Sequence, residues 1–126
     1  MKRVIRVILA LTSVALFAQN TGIKRMVVKT ADVSVPGREA VLENIEIAPG
    51  ATSGRHTHPG DEISYVTEGE GELMVEGKPT QKLKAGEGLI VPGGMKHEAR
   101  NTGSRPLKLV GVYVVEKGKP LATPAP

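Results

Sequence analysis

The sequence predicts an all-β fold, a barrel or sandwich of antiparallel strands. From Gly22 onward, short runs of aliphatic and β-branched residues alternate with turns that carry glycine or proline. In this part of the chain no window of about 11 residues repeats apolar residues at helical spacing. Short strands with turn signals every 8–12 residues or so are typical of sandwiches and barrels. A chain of 126 residues has room for one such domain.

The first strands are predicted from residue type and alternation. Segment 23–29 is rich in β-branched residues, which favour extended backbone. Segment 39–47 alternates in its second half, where Ile45 and Ile47 share one face and Asn44 and Glu46 share the other. This alternation predicts a strand with one buried face.

The later strands are bounded by turns. Segments 62–67 and 72–76 are joined through Gly69 and Gly71, and a Glu-Gly-Lys-Pro turn leads from there to segment 80–84. A second glycine-rich turn precedes segment 89–91, which ends at Pro92, and a further strand is expected to carry His97. Segment 107–115 is the longest predicted strand.

Composition excludes several classes of function. The chain has no cysteine, which excludes disulfides, thiolate zinc sites, iron–sulfur clusters and a cysteine nucleophile. Three of its 17 basic residues, Lys2, Arg3 and Arg6, lie at the N-terminus, and the remaining 14 nearly balance 13 acidic residues. A near-neutral domain with 2% aromatic residues has neither the basic patch nor the stacking surfaces that nucleic acids require.

The N-terminus has the pattern of a secretory signal peptide. A basic segment is followed by an apolar run from Val7 to Phe17, and Ala18 is a small residue suited to cleavage. We therefore expect a signal helix over residues 1–18, a mature start at Gln19 and a periplasmic or secreted protein without a stable membrane span. Leu16 departs from the usual cleavage pattern, and a retained membrane anchor or a buried helix are the alternatives.

The three histidines suggest a metal site. His56 and His58 are two residues apart, so on extended backbone their imidazoles point to the same face. Glu62 lies at the start of the following strand and could return a carboxylate to the same point, and barrel closure could bring His97 alongside. Three imidazoles and one carboxylate form a mixed nitrogen and oxygen site suited to Fe, Mn, Ni, Cu or Zn. A His-x-His pair by itself is also common on protein surfaces.

The residues around these histidines are arranged in two spaced motifs. In the first, Gly50 is followed after five residues by His56-Thr57-His58, after three more by Glu62 and after six more by Gly69. In the second, Gly86 is followed after five residues by Pro92-Gly93-Gly94, after two more by His97 and after three more by Asn101. Both match the signature motifs of the cupin superfamily at every fixed position, and the chain resembles a small single-domain cupin.

This resemblance implies a jelly-roll barrel, or double-stranded β-helix, over residues 19–117, followed by a proline-rich tail over 118–126. It implies that His56, His58, Glu62 and His97 bind one divalent metal inside the barrel. It also implies a small-molecule enzyme of the dioxygenase, decarboxylase, lyase or isomerase type. The alternative is a non-catalytic sensor or storage module, because the superfamily contains both.

Two further expectations concern catalysis and assembly. The motifs offer no further histidine and no other candidate for a buried acid–base group, so Glu62 is the candidate catalytic residue. Four basic residues could contact an anionic substrate at the barrel mouth, but a solvated surface role is the better interpretation of each: Arg38, Arg55, Lys96 and Arg100. A homodimer is expected because small cupins commonly pair and because segment 23–30 reads as an edge strand that needs a cover.

Overall fold

A computed structural model describes residues 22–126, and the predicted signal peptide over residues 1–18 lies outside them. Within residues 22–126 the chain forms ten strands and no helix. This part of the chain therefore contains no helix that could span a membrane. The all-β prediction is confirmed. The strands are β1 (Ile23–Asp32), β2 (Arg38–Ile47), β3 (His56–Thr57), β4 (Gly60–Glu68), β5 (Glu70–Val75), β6 (Gln81–Lys84), β7 (Gly88–Val91), β8 (His97–Asn101), β9 (Leu107–Glu116) and β10 (Thr123–Pro124).

The strands form two five-stranded antiparallel sheets. The first has the order β1-β2-β9-β4-β7 and the second the order β10-β3-β8-β5-β6. Chain neighbours therefore fall in different sheets at several points, which is the jelly-roll arrangement that the resemblance implies. β1 is the outer strand of the first sheet and pairs only with β2, with an irregularity in register between Val27 and Lys29.

The core lies between the two sheets and follows the period of two along each strand. In β9 every second residue is buried, from Leu107 to Val115, and β4 alternates in the same way. The apolar core consists of Val41, Ile45, Ile47, Val66, Leu73, Leu83, Leu89, Val91, Leu107, Leu109, Tyr113 and Val115. The same alternation leaves the outer side of the first sheet free of any covering element among residues 22–126.

Gly60 fixes the start of β4, two residues before Glu62. A Cβ at this position would lie 2.0 Å from the Val114 carbonyl oxygen of neighbouring β9. Only glycine permits this close approach of the two strands. The contact holds the start of β4 close against β9, two residues before Glu62.

The last nine residues pack onto the barrel. Leu121 lies against the apolar core, and β10 pairs with β3, with Pro124 opposite His56. The Ala125 amide also donates to the Arg55 carbonyl at 3.0 Å. The segment predicted as a tail thus completes one edge of the second sheet beside the candidate site.

Candidate metal centre

Four buried side chains converge at one point inside the barrel. Each of His56, His58, Glu62 and His97 offers one potential ligand atom, and these atoms all lie within 4.8 Å of one another. The four residues are at most 7% exposed. These are the four residues that the two motifs single out.

The site is built from both sheets. His56 on β3 lies directly opposite His97 on β8 in the second sheet, while Glu62 extends inward from β4 of the first. His58 follows β3 by one residue, and its ring meets that of His56 at a centroid distance of 4.7 Å. The prediction that His56 and His58 point to the same place is confirmed, and strand pairing explains why His97 joins them.

Backbone carbonyl groups fix the orientation of all three imidazoles. Nδ1 of His56 donates to the Gly54 carbonyl at 2.7 Å, and Nδ1 of His97 donates to the Met95 carbonyl at 2.8 Å. Nδ1 of His58 donates to the Leu121 carbonyl at 2.6 Å. A carbonyl oxygen can only accept, so each Nδ1 carries the proton. In each neutral ring the unprotonated Nε2 is then the atom turned toward the centre.

The arrangement of the potential ligand atoms suits a bound cation. The Nε2 atoms of His56 and His58 are 3.1 Å apart. One carboxylate oxygen of Glu62, Oε2, lies 3.0 Å from Nε2 of His97 and 3.3 Å from Nε2 of His58. At these distances the atoms need positive charge between them, either protons on the ring nitrogens or a metal ion. The donor set fits a first-row divalent metal, and the outer hydrogen bonds are those that usually orient metal-binding histidines.

The charge states of His56 and Glu62 also suit metal binding. Burial lowers the pKa of His56 to about 4, so its ring is neutral at physiological pH. Burial opposes ionisation of Glu62, but its contacts with His58 and His97 and a hydrogen bond from Ser64 Oγ at 2.8 Å hold the pKa of Glu62 well below its usual range. Neutral imidazole and ionised carboxylate are the forms that bind metals.

A small cavity of about 20 Å³ adjoins the site. Its lining includes His56, Glu62 and His97 together with Arg25 and Tyr113. This volume holds roughly one water molecule, which needs about 10–15 Å³. The cavity therefore leaves space beside the four ligands, on the side of the cluster that faces β1 and β9.

Tyr113 and Arg25 are polar groups of this cavity that the sequence analysis did not assign. The Tyr113 ring packs on the His58 ring at a centroid distance of 4.6 Å, and Arg25 Nη1 donates to its hydroxyl at 3.4 Å. Burial, together with the charges of Glu62 and Glu43, raises the pKa of Tyr113 above its usual range. The hydroxyl therefore stays protonated at neutral pH.

Glu43 is a buried carboxylate behind Arg25. It is 3% exposed, and its Oε2 lies 3.6 Å from Arg25 Nη1 without a hydrogen-bond partner among the described residues. Alternation could have revealed it, because Glu43 has the same parity as Ile45 and Ile47. The four basic residues proposed for the barrel mouth do not line this cavity: Arg38, Arg55, Lys96 and Arg100.

Comparison with known proteins places the chain in a family. The cupin domain model matches residues 44–115, more than half of the chain. The protein belongs to the cupin family. The prediction of a small cupin is thereby confirmed, and the matched range contains all four of the convergent side chains. It excludes Arg25 and Glu43.

Relatives of this cupin include enzymes. It is 33% identical over 87 residues to germin-like protein subfamily 2 member 2 of Arabidopsis thaliana, which covers 63% of this chain and 40% of the relative. It is 39% identical over 45 residues to the dimethylsulfoniopropionate lyase DddQ of Ruegeria pomeroyi, which covers 36% of this chain and 22% of the lyase. The chain thus spans less than half the length of these curated relatives.

A solved structure of similar size has the same fold. A Klebsiella pneumoniae protein with a double-stranded β-helix domain superposes with a TM-score of 0.68 at 28% sequence identity. The match covers 82% of this cupin and 87% of the Klebsiella chain. The double-stranded β-helix implied by the motifs is therefore confirmed.

Proposed function

We propose that this cupin is an exported, metal-dependent enzyme that acts on a small organic molecule. The supporting observation is the buried set of His56, His58, Glu62 and His97, whose Nε2 and carboxylate atoms face one point. The reaction types that suit such a site are dioxygenation, decarboxylation, lyase chemistry and isomerisation. The similarity to a lyase over part of the chain agrees with this proposal.

The roles of the chain's own residues follow from the geometry. A bound Fe, Mn, Ni, Cu or Zn ion supplies Lewis acidity, or with Fe, Mn or Cu also electron transfer. The three histidines and Glu62 hold the ion, and the carbonyl groups behind the rings keep them oriented. Glu62 is the candidate proton acceptor, and the protonated Tyr113 hydroxyl is placed to donate a hydrogen bond into the cavity. The apolar core around the site limits the access of water.

The test is metal analysis followed by activity screening. Protein purified from its native compartment should contain about one first-row transition metal per chain. Protein reloaded with each candidate metal is then assayed for oxygen uptake, for carbon dioxide release and for elimination with a panel of small metabolites. Tight binding of one metal without turnover in the panel would favour the alternative, a non-catalytic sensor or storage module. Failure to bind any metal would contradict both.

Export rests on the N-terminal sequence alone. The basic segment and the apolar run up to Phe17 support a cleaved signal peptide, and the proposal is that the mature protein begins at Gln19 in the periplasm or outside the cell. Mass spectrometry of the protein from its source is the direct measurement. An intact Met1 on a cytosolic species would contradict export.

We also propose that the protein is a homodimer in which two copies pack through the outer side of the first sheet. Here β1, β2, β9, β4 and β7 expose an unusual number of apolar side chains, four of them 47–67% exposed. Patches of this kind usually mark an interface. We define this outer apolar face as Met26, Leu42, Ile63, Tyr65, Ile90, Val110 and Val112.

Charge complementarity indicates a second copy as the partner. At one end of the outer apolar face, Lys24, Glu46, Lys108 and Glu68 form a row in register across β1, β2, β9 and β4. A two-fold axis parallel to the strands reverses this row. Lys24 then faces Glu68 of the second copy, and Glu46 faces Lys108.

Substitution of Ile63 with arginine should convert the dimer to a monomer. The side chain is 47% exposed, so arginine fits the isolated barrel, but two buried arginines would face the apolar partner surface. Light scattering should give twice the chain mass for the wild type and for the control Val35→Arg, which alters an exposed residue outside the outer apolar face. A monomeric wild type, or a dimeric Ile63→Arg variant, would contradict the proposed interface.

A further inference from the structure

We infer that Arg25 is the anion-binding residue of the cavity and that the site takes a small monoanionic carboxylate. This inference rests on the proposed metal-dependent function and specifies its substrate class. Arg25 lies on β1, outside the part of the chain that matches the cupin domain model. It is the only lysine or arginine among the residues that line the cavity beside His56, Glu62 and His97.

The guanidinium of Arg25 has spare hydrogen-bonding capacity. Its Nη1 atom lies 3.4 Å from the Tyr113 hydroxyl and 3.6 Å from Glu43 Oε2, both longer than a charge-assisted hydrogen bond of about 2.7–2.9 Å. An arginine carries five donors, and no other hydrogen bond of this side chain is present among the described residues. A carboxylate in the cavity could therefore accept two parallel hydrogen bonds from the Arg25 guanidinium, which is the geometry that this group favours.

The contacts of Arg25 with Tyr113 and Glu43 leave one carboxylate oxygen of Glu43 without a hydrogen-bond partner among residues 22–126. A buried carboxylate oxygen without a hydrogen bond is costly, and such atoms are rare in folded proteins. The separation of 3.6 Å leaves Glu43 Oε2 outside hydrogen-bond distance of Arg25 Nη1. Glu43 therefore neutralises the guanidinium before a ligand binds and competes only weakly with an incoming anion.

Charge balance selects a monoanion. A divalent metal and the Glu62 carboxylate leave one net positive charge at the centre, while Arg25 and Glu43 cancel each other. A ligand with one negative charge neutralises the whole site. A dianion would leave an uncompensated buried charge, and a neutral ligand would leave the donors of Arg25 unused.

The cavity size indicates how such a ligand enters. The volume of about 20 Å³ is too small for an organic acid while Arg25 lines it in its present position. The Arg25 side chain is 30% exposed and lies on an edge strand, and only its long contacts with Tyr113 and Glu43 must part for it to turn toward solvent. It then closes over the bound carboxylate.

Titration calorimetry of metal-saturated protein with acetate, and with acetamide as its neutral isostere, tests the inference. The wild type should bind acetate and not acetamide.

Arg25→Gln should keep its metal and weaken acetate binding on the order of 10- to 100-fold, because hydrogen bonds to a charged group are lost. Arg25→Lys should lie between the two. Glu43→Gln should bind acetate more tightly than the wild type, because the competing charge is gone. Arg100→Gln, an exposed arginine on β8, is the matched control.

The outcomes of this experiment distinguish a failure of metal binding from a failure of carboxylate binding by Arg25. A wild type that binds no metal overturns the proposed function and this inference together. Metal-loaded wild type that binds acetate no better than Arg25→Gln overturns only the inference, since acetate would then bind the metal alone. A folded Glu43→Gln variant that binds acetate more weakly would also overturn it, as would an Arg25→Gln variant that loses stability while its acetate affinity is unchanged.

Discussion

Replacing His97 with alanine is expected to abolish tight metal binding. His97 is 3% exposed, and its Nε2 lies 3.0 Å from Glu62 Oε2, so its loss removes one of the four candidate ligands, and the sequence has no histidine outside the site to replace it. Loss of an outer hydrogen bond to a ligand typically weakens metal binding by about 10–100-fold. Loss of the ligand itself should exceed that, and inductively coupled plasma mass spectrometry after gel filtration should find little metal in the variant.

Unfolding measurements provide a second readout that does not depend on activity. At a free metal concentration about 1,000 times the Kd, a bound metal stabilises the wild type by about 4 kcal/mol. Urea unfolding with and without metal should show this difference for the wild type and for the control Arg100→Gln. The His97→Ala variant should show almost none. Full metal occupancy together with an unchanged metal-dependent stabilisation would remove His97 from the proposed ligand set.

Much of the fold could be predicted because the chain is strongly patterned. The seven predicted segments all correspond to strands. In β2, β4 and β9, apolar and polar residues alternate because one face of each strand is turned toward the core. Two-residue strands such as β3 and β10 carry no detectable period, and pairing across the barrel rather than local propensity creates them. Asn101, the last position of the second motif, stabilises a turn with its side chain, because its Oδ1 accepts from the Gly103 amide at 2.9 Å.

The convergence of the candidate ligands was predictable from the cupin resemblance that the two motifs carry, but their surroundings were not. Arg25, Glu43 and Tyr113 lie on three different strands, and only the order β1-β2-β9 brings them together. No motif contains all three. The Leu121 carbonyl that orients His58 belongs to a segment of small and proline residues that resembles a tail in sequence. Contacts between distant segments depend on topology, which the linear pattern does not encode.

The change of Glu62 to glutamine should separate proton transfer from metal binding. Glu62 Oε1 accepts a hydrogen bond from Ser64, while Oε2 faces His58 and His97. In Glu62→Gln the amide oxygen can still face the metal, and the amide nitrogen can donate to the Ser64 hydroxyl, so the side chain keeps its place. If Glu62 accepts a proton from the substrate, turnover should fall by on the order of 10²–10⁴-fold. The variant should retain much of its metal.

Ser64→Ala is the matched control for this role. It removes the hydrogen bond to Glu62 Oε1 but leaves the carboxylate and its charge, so it disturbs position without removing the base. Turnover per bound metal is the deciding quantity, measured on both variants against the wild type. A large loss in Glu62→Gln with a small one in Ser64→Ala identifies Glu62 as the proton acceptor. Activity that falls only in proportion to metal content would make Glu62 a ligand alone, and the protonated Tyr113 hydroxyl would then be the remaining acid–base group that lines the cavity.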